Sequence, residues 1–207
     1  EYDQPGGSND PALPGGPAGI WVDPADNEVF IADGYGNRRV IVFDGDSGEY
    51  LRHWGAYGEE PDDSYEFDPE SADGPPEQFS TVHGITGSHD GLIYVADRRG
   101  NRVQVFQQDG TFVDERVIAP DTRASGSAFV PVLSPDPDQQ WLYMADGTNH
   151  KIWILRRSDL EIVGEFGRGG RQVGQFLRPH GLSVDSQGHL YVGEASTGRR
   201  VQRFRNR

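Results

Sequence analysis

Apolar residues fall along this chain in short runs, each closed by a polar turn. Residues 28–32 (Glu28-Val29-Phe30-Ile31-Ala32) follow a turn at 24–27, and residues 92–96 (Leu92-Ile93-Tyr94-Val95-Ala96) follow His89-Asp90-Gly91. A polar turn around Asn37 or Asn101 comes next. It leads to a second run, 40–43 or 103–106, then a hairpin turn at 44–48 or 108–110, then a further strand. Runs this short, rich in β-branched and aromatic residues and bounded by Gly, Asn and Asp, predict antiparallel strands joined by tight turns.

The pattern repeats. Four segments share it, and each second strand ends on an acid: Asp33, Asp97, Asp146 and Glu194. These acids stand 64, 49 and 48 residues apart. A period of ~40–50 residues made of four short strands marks a β-propeller blade. The expected organisation is an all-β propeller of four-stranded antiparallel blades. Blades occupy 17–57, 78–118, 126–167 and 174–207, the fourth stopping before its last strand, with a loop-like segment at 1–16. The long first spacing comes from an insertion at 58–77. It carries Glu59, Glu60, Asp62, Asp63, Glu66, Asp68, Glu70, Asp73 and Glu77 and reads as a solvated acidic loop; its acids lack the spacing of an EF-hand. The repeated acid reads as structural: at a strand end its carboxylate accepts hydrogen bonds from turn amides and a nearby arginine.

Composition narrows the function classes. A net charge of −14 argues against a nucleic-acid partner, because phosphate backbones are bound by clustered lysine and arginine. No apolar stretch approaches the ~20 residues of a membrane-spanning helix. The chain has no cysteine, which removes disulfides, thiolate metal ligands and thiol nucleophiles. That composition suits an exported bacterial protein, secreted or periplasmic. The chain opens on Glu1 and its only methionine is Met144, as in a processed chain or a piece of a longer one.

Among six histidines, His89 and His189 fall in hairpin turns, His150 in a polar turn and His53 on an outer strand. His83 and His180 share one repeat position, just before the innermost strand of their blades, where blades one and three carry Ala18 and Val130 or Pro131. Innermost strands line a propeller's channel, so these imidazoles are expected to converge at one mouth, as two ligands of a metal or as two strand caps bonded to backbone.

The run Val95-Ala96-Asp97-Arg98-Arg99-Gly100-Asn101-Arg102-Val103-Gln104-Val105-Phe106 resembles the NHL repeat. Residues 29–40, Gln78-Phe79-Ser80-Thr81-Val82-His83, and Pro179-His180 are also similar to segments of the catalytic domain of peptidyl-α-hydroxyglycine α-amidating lyases. That resemblance implies a six-bladed ring, of which four blades are visible here. It also implies zinc held by histidines, a structural calcium, and cleavage of a carbinolamide C–N bond to give a peptide amide and glyoxylate. Carried over by position, His83 and His180 are zinc ligands, Tyr35 the catalytic base and Arg98 a grip on the substrate carboxylate; a third zinc histidine and a second substrate arginine have no counterpart. On this reading a peptide or small molecule binds at the channel mouth, and missing blades or self-association close the ring. The alternative is a non-catalytic scaffold that binds a protein, peptide or glycan. A calcium-dependent lactonase-like propeller is a third class, but its acidic and amide ligands are not seen in register on the innermost strands.

Overall fold

The computed structural model describes residues 6–68 and 74–206. The first blade is β1 (Pro17–Val22), β2 (Glu28–Asp33), β3 (Arg39–Asp44) and β4 (Tyr50–Trp54). The second is β5 (Val82–Gly87), β6 (Leu92–Asp97), β7 (Arg102–Gln107) and β8 (Phe112–Val117). The third is β9 (Val130–Leu133), β10 (Trp141–Asp146), β11 (Lys151–Arg156) and β12 (Ile162–Phe166). The fourth has three strands, β13 (Pro179–Val184), β14 (Leu190–Glu194) and β15 (Val201–Phe204). Each sheet is antiparallel with its strands in chain order, as the repeat predicts. Innermost strands stand side by side, β1 against β5, β5 against β9 and β9 against β13; no packing of that extent joins β13 back to β1.

Each junction between blades has its own core. Phe30, Trp54, Phe79 and Phe106 fill the first, Tyr94, Leu142, Met144 and Leu155 the second, and Phe129, Phe176 and Val192 the third. β6 shows why the sequence folds this way. Ile93 and Val95 face blade 1 while Tyr94 and Ala96 face blade 3, so both sides of a period-2 strand must be apolar. Each such large side chain contributes roughly 1.5–3 kcal/mol by burial. Terminal blades lack one neighbour: Ile20 on β1 is 65% exposed and Val201 on β15 is 68% exposed.

The repeated acids take the structural role expected of them, with one correction. Asp33 accepts from the Gly15 and Gly16 amides, Asn37 and Arg39; Asp97 from the Ser80 and Thr81 amides and Arg102; Glu194 from the Leu177 amide, Arg200 and Gln202. Asp146 has no arginine. Trp153 Nε1–H (2.9 Å) and Asn149 hold it instead. The insertion is fastened at its start, where Asp63 accepts from the Ser8 amide at 2.8 Å and Arg38 bridges the Tyr65 and Phe79 carbonyls. Its described acids are exposed; Glu70 and Asp73 lie outside the described residues.

Candidate functional site

The site begins with a backbone irregularity. On β5, Val82 pairs with Asp97 and Gly84 with Ala96, so His83 has no partner on β6. On β13, Pro179 pairs with Glu194 and Gly181 with Gly193, leaving His180 likewise unpaired. Both histidines are therefore bulge residues inside their strands, not residues ahead of them as the sequence suggested. A bulge re-aims the extra side chain out of the alternation of the strand. Ala18 occupies the same slot in β1, whereas β9 runs through in regular register. The glycine after the β5 bulge allows close approach, since a Cβ on Gly84 would stand 2.6 Å from the Phe129 carbonyl oxygen; Gly181 on β13 faces open space.

The two imidazoles, 97 positions apart in the chain, meet edge to face with ring centroids 4.7 Å apart. His83 is 2% exposed and His180 is partly buried. The Phe129 ring lies against both, at 5.4 and 5.5 Å. His83 Nδ1 lies 2.8 Å from the Phe129 carbonyl oxygen. A carbonyl only accepts, so Nδ1 carries the proton and Nε2 of the neutral ring keeps its lone pair. That lone pair faces Tyr35 Oη at 3.0 Å, and the hydroxyl donates to it.

Burial lowers the pKa of His83 to about 4 against the pull of its Phe129 bond, and the charges of Arg98 and Arg178 act in the same direction as burial. Burial, then Arg178 and Arg98, also lowers that of His180. Both rings are thereby kept in the neutral form, the form that ligates metals.

Tyr35 and Arg98 arrive by matching turns. Each follows its blade's repeated acid and donates its amide N–H to the carbonyl just before the inner strand: Tyr35 to Gly16 at 2.9 Å, Arg98 to Thr81 at 2.8 Å. The Arg98 guanidinium lies 5.5 Å from the Tyr35 ring centroid and 5.2 Å from that of Phe129. Among the described residues its Nε is buried without a hydrogen-bond partner, and Arg98 is in no ion pair. A cation with a buried, unpartnered N–H thus lies beside two neutral imidazoles, and guanidinium N–H groups are the donors that carboxylate oxygens accept from.

All four residues singled out in the sequence, Tyr35, His83, Arg98 and His180, therefore converge on one mouth. Sequence reasoning missed Phe129, which acts through its carbonyl and its ring just ahead of β9. It also missed Arg178, whose guanidinium sits 5.6 Å from the Phe129 ring centroid, and His150, whose Nδ1 accepts the Arg178 amide N–H at 3.1 Å. Among the described residues, no three His, Cys, Asp or Glu side chains are placed to share a metal ion.

The comparisons with known proteins bear on the repeats and the fold. The NHL repeat family model matches residues 79–106 and 176–204, each holding one of the two histidines. Peptidyl-glycine alpha-amidating monooxygenase B of Xenopus laevis is 28% identical over 189 residues, covering 86% of this chain and 19% of that protein. The Mus musculus peptidyl-glycine alpha-amidating monooxygenase is 27% identical over 187 residues, covering 87% of this chain and 17% of its own length. The chain thus spans under a fifth of these relatives. In fold it is similar to Kuenenia stuttgartiensis hydrazine synthase (TM-score 0.65, 16% identity, 93% of this chain and 46% of that one). A streptogramin B lyase is also similar (TM-score 0.57, 16% identity, 90% and 53%). The chain carries NHL repeats and is a propeller with distant similarity to amidating enzymes.

Proposed function

We propose that the mouth formed by Tyr35, His83, Arg98 and His180 is a lyase-like site that takes a carboxylate-bearing, hydroxyglycine-type peptide end and breaks its C–N bond. The observation that carries this reading is the tautomer of His83. Its Nδ1–H is spent on the Phe129 carbonyl, so the Nε2 lone pair is turned toward Tyr35 Oη, on the side of the ring where a ligand of these residues would bind. A backbone carbonyl behind an imidazole is the usual arrangement for orienting a metal-ligating histidine.

The residues fit zinc in part. His83 and His180 supply two neutral nitrogen ligands, whereas a catalytic zinc takes three protein ligands, and the described residues offer no third from His, Cys, Asp or Glu. Bound there, zinc would supply Lewis-acid polarisation of the ligand's hydroxyl. The remaining roles belong to the chain's own groups. Arg98 holds the carboxylate in a two-pronged grip, and its open Nε–H is one prong. Tyr35 Oη is placed to hold or pass the hydroxyl proton. As that proton leaves, the C–O bond becomes a carbonyl, the C–N bond breaks, and the amide nitrogen takes up a proton. A secreted or periplasmic location accords with this reading, and a structural calcium remains a proposal carried by the resemblance.

The test is metal content and turnover. Purified protein should hold about one zinc per chain and convert a hydroxyglycine-extended peptide to its amide and glyoxylate; His83→Ala and His180→Ala should each lose the zinc. The missing third ligand favours a second reading, a non-catalytic platform binding a protein, peptide or glycan at the same mouth. Metal-free protein whose Tm ignores chelator would select it, because a ligand of the native state shifts stability.

A further inference from the structure

Arg178 has no part in the roles above. It occupies the slot just before the inner strand, where the other bulged blades carry Gly16 and Thr81, as the matching amide bonds show: Tyr35 to Gly16, Arg98 to Thr81, Ala195 to Arg178. It holds a left-handed backbone (φ +58) that a long side chain rarely adopts. Three contacts pin it there: the amide N–H bonded to His150 Nδ1 at 3.1 Å, and the guanidinium resting 3.4 Å from Ser125 Oγ and 5.6 Å from the Phe129 ring centroid. Arg98 shares that same ring. Among the described residues neither arginine is in an ion pair, although the chain carries 33 carboxylates against 19 basic side chains. Beyond Arg178 a cleft of about 340 Å³ opens between blades 3 and 4. Ser125, Thr148, Ser196 and Thr197 line it, and Thr148 Oγ1 is buried there with no hydrogen-bond partner.

We propose that Arg178 is a second anion-binding arm. It makes the mouth selective for a ligand with two anionic groups, a terminal carboxylate on Arg98 and a second carboxylate in the hydroxyl-lined cleft on Arg178. This rests on reading the histidine mouth as the ligand site. It explains why a strained arginine is fixed where glycine or threonine serves elsewhere, and why a buried hydroxyl in the cleft is left open. An acidic residue beside the terminal glycine of a peptide has that chemistry.

Calorimetric titration with acetyl-glycine and with acetyl-aspartyl-glycine tests it. The dianion should bind the unaltered protein about tenfold more tightly, the scale of one charge-assisted hydrogen-bonded contact. Arg178→Gln should erase that preference by weakening the dianion far more than acetyl-glycine, whereas Arg98→Gln should weaken both alike. If Arg178→Gln fails to fold, Arg178→Lys, which keeps the charge but not the fork, should still cut the preference severalfold. Equal affinity of the two probes for the unaltered protein overturns the proposal, and so does a preference that survives substitution at Arg178. Protein that holds zinc through His83 and His180 yet shows no dianion preference removes the Arg178 arm and leaves the lyase-like reading standing. Protein that holds no zinc and binds neither probe removes both.

Discussion

Blades 2 and 3 place an aspartate at the end of the same strand and hold it by different means. Asp97 is met by Arg102 Nε at 3.1 Å, with both side chains fully buried. Asp146 is met by Trp153 Nε1–H and by Asn149, while Lys151, which pairs with Asp146 as Arg102 pairs with Asp97, turns outward to Glu165. The blade accordingly needs donors for a buried carboxylate, and an opposite charge is one way to supply them. The price of the neutral solution shows in Asp146, whose pKa burial raises in spite of those donors. The inner strands differ in parallel. β5 bulges and delivers His83; β9 runs straight, and the residue just ahead of it, Phe129, supplies the carbonyl that orients that ring.

Removing the arginine should break this comparison most strongly. Arg102→Ala strands Asp97 and also gives up bonds to Tyr57 Oη and the Gln78 carbonyl. Denaturant unfolding should show a loss of about 3–5 kcal/mol, the usual cost of leaving a buried charge unpaired. The histidine of blade 2 comes next. His83 has a folded pKa near 4 against an ordinary 6.5, so its contribution is complete above pH 6.5 and is lost as pH falls toward 4. Stability should drop by about 3 kcal/mol across that window, and His83→Gln should flatten the slope. Asp146 works with the opposite sign: with its pKa raised, its contribution is complete at low pH and is lost as pH rises through the folded value, so Asp146→Asn should remove a decline rather than an increase. A smaller effect is expected from Trp153→Phe, which takes one donor from that carboxylate; thermal and urea unfolding should register about 1–3 kcal/mol. Smallest of all is Lys151→Ala. Its pair with Glu165 is partly exposed, and the change should stay within about 1 kcal/mol in the same assay.

The repeat made the fold legible. Alternating apolar runs, a recurring acid such as Asp97 and Asp146 at the end of the second strand, and matched turns gave away the strand order, and the fourth blade has three strands. The histidine pair was legible as a shared repeat position. Bulges were not, because they lie in which residues pair across the ladder, and hydrophobic alternation says nothing of that at Val82-His83-Gly84. Phe129 was hidden for a related reason: its contribution is a backbone carbonyl, which every residue type carries. Arg178, ahead of Pro179, reads as an ordinary turn residue until the left-handed backbone and the His150 contact are seen. Trp153 stands where an arginine was expected to serve, since an indole N–H and a guanidinium meet the same need from different positions on their strands.

An unpaired bulge residue is released from the demands of sheet formation, so its identity can change without disturbing the ladder around it. Ala18, His83 and His180 occupy that same unpaired position in their three blades. New chemistry at such a position therefore calls for no new architecture, since the sheet around it keeps its pairing whichever side chain the bulge carries.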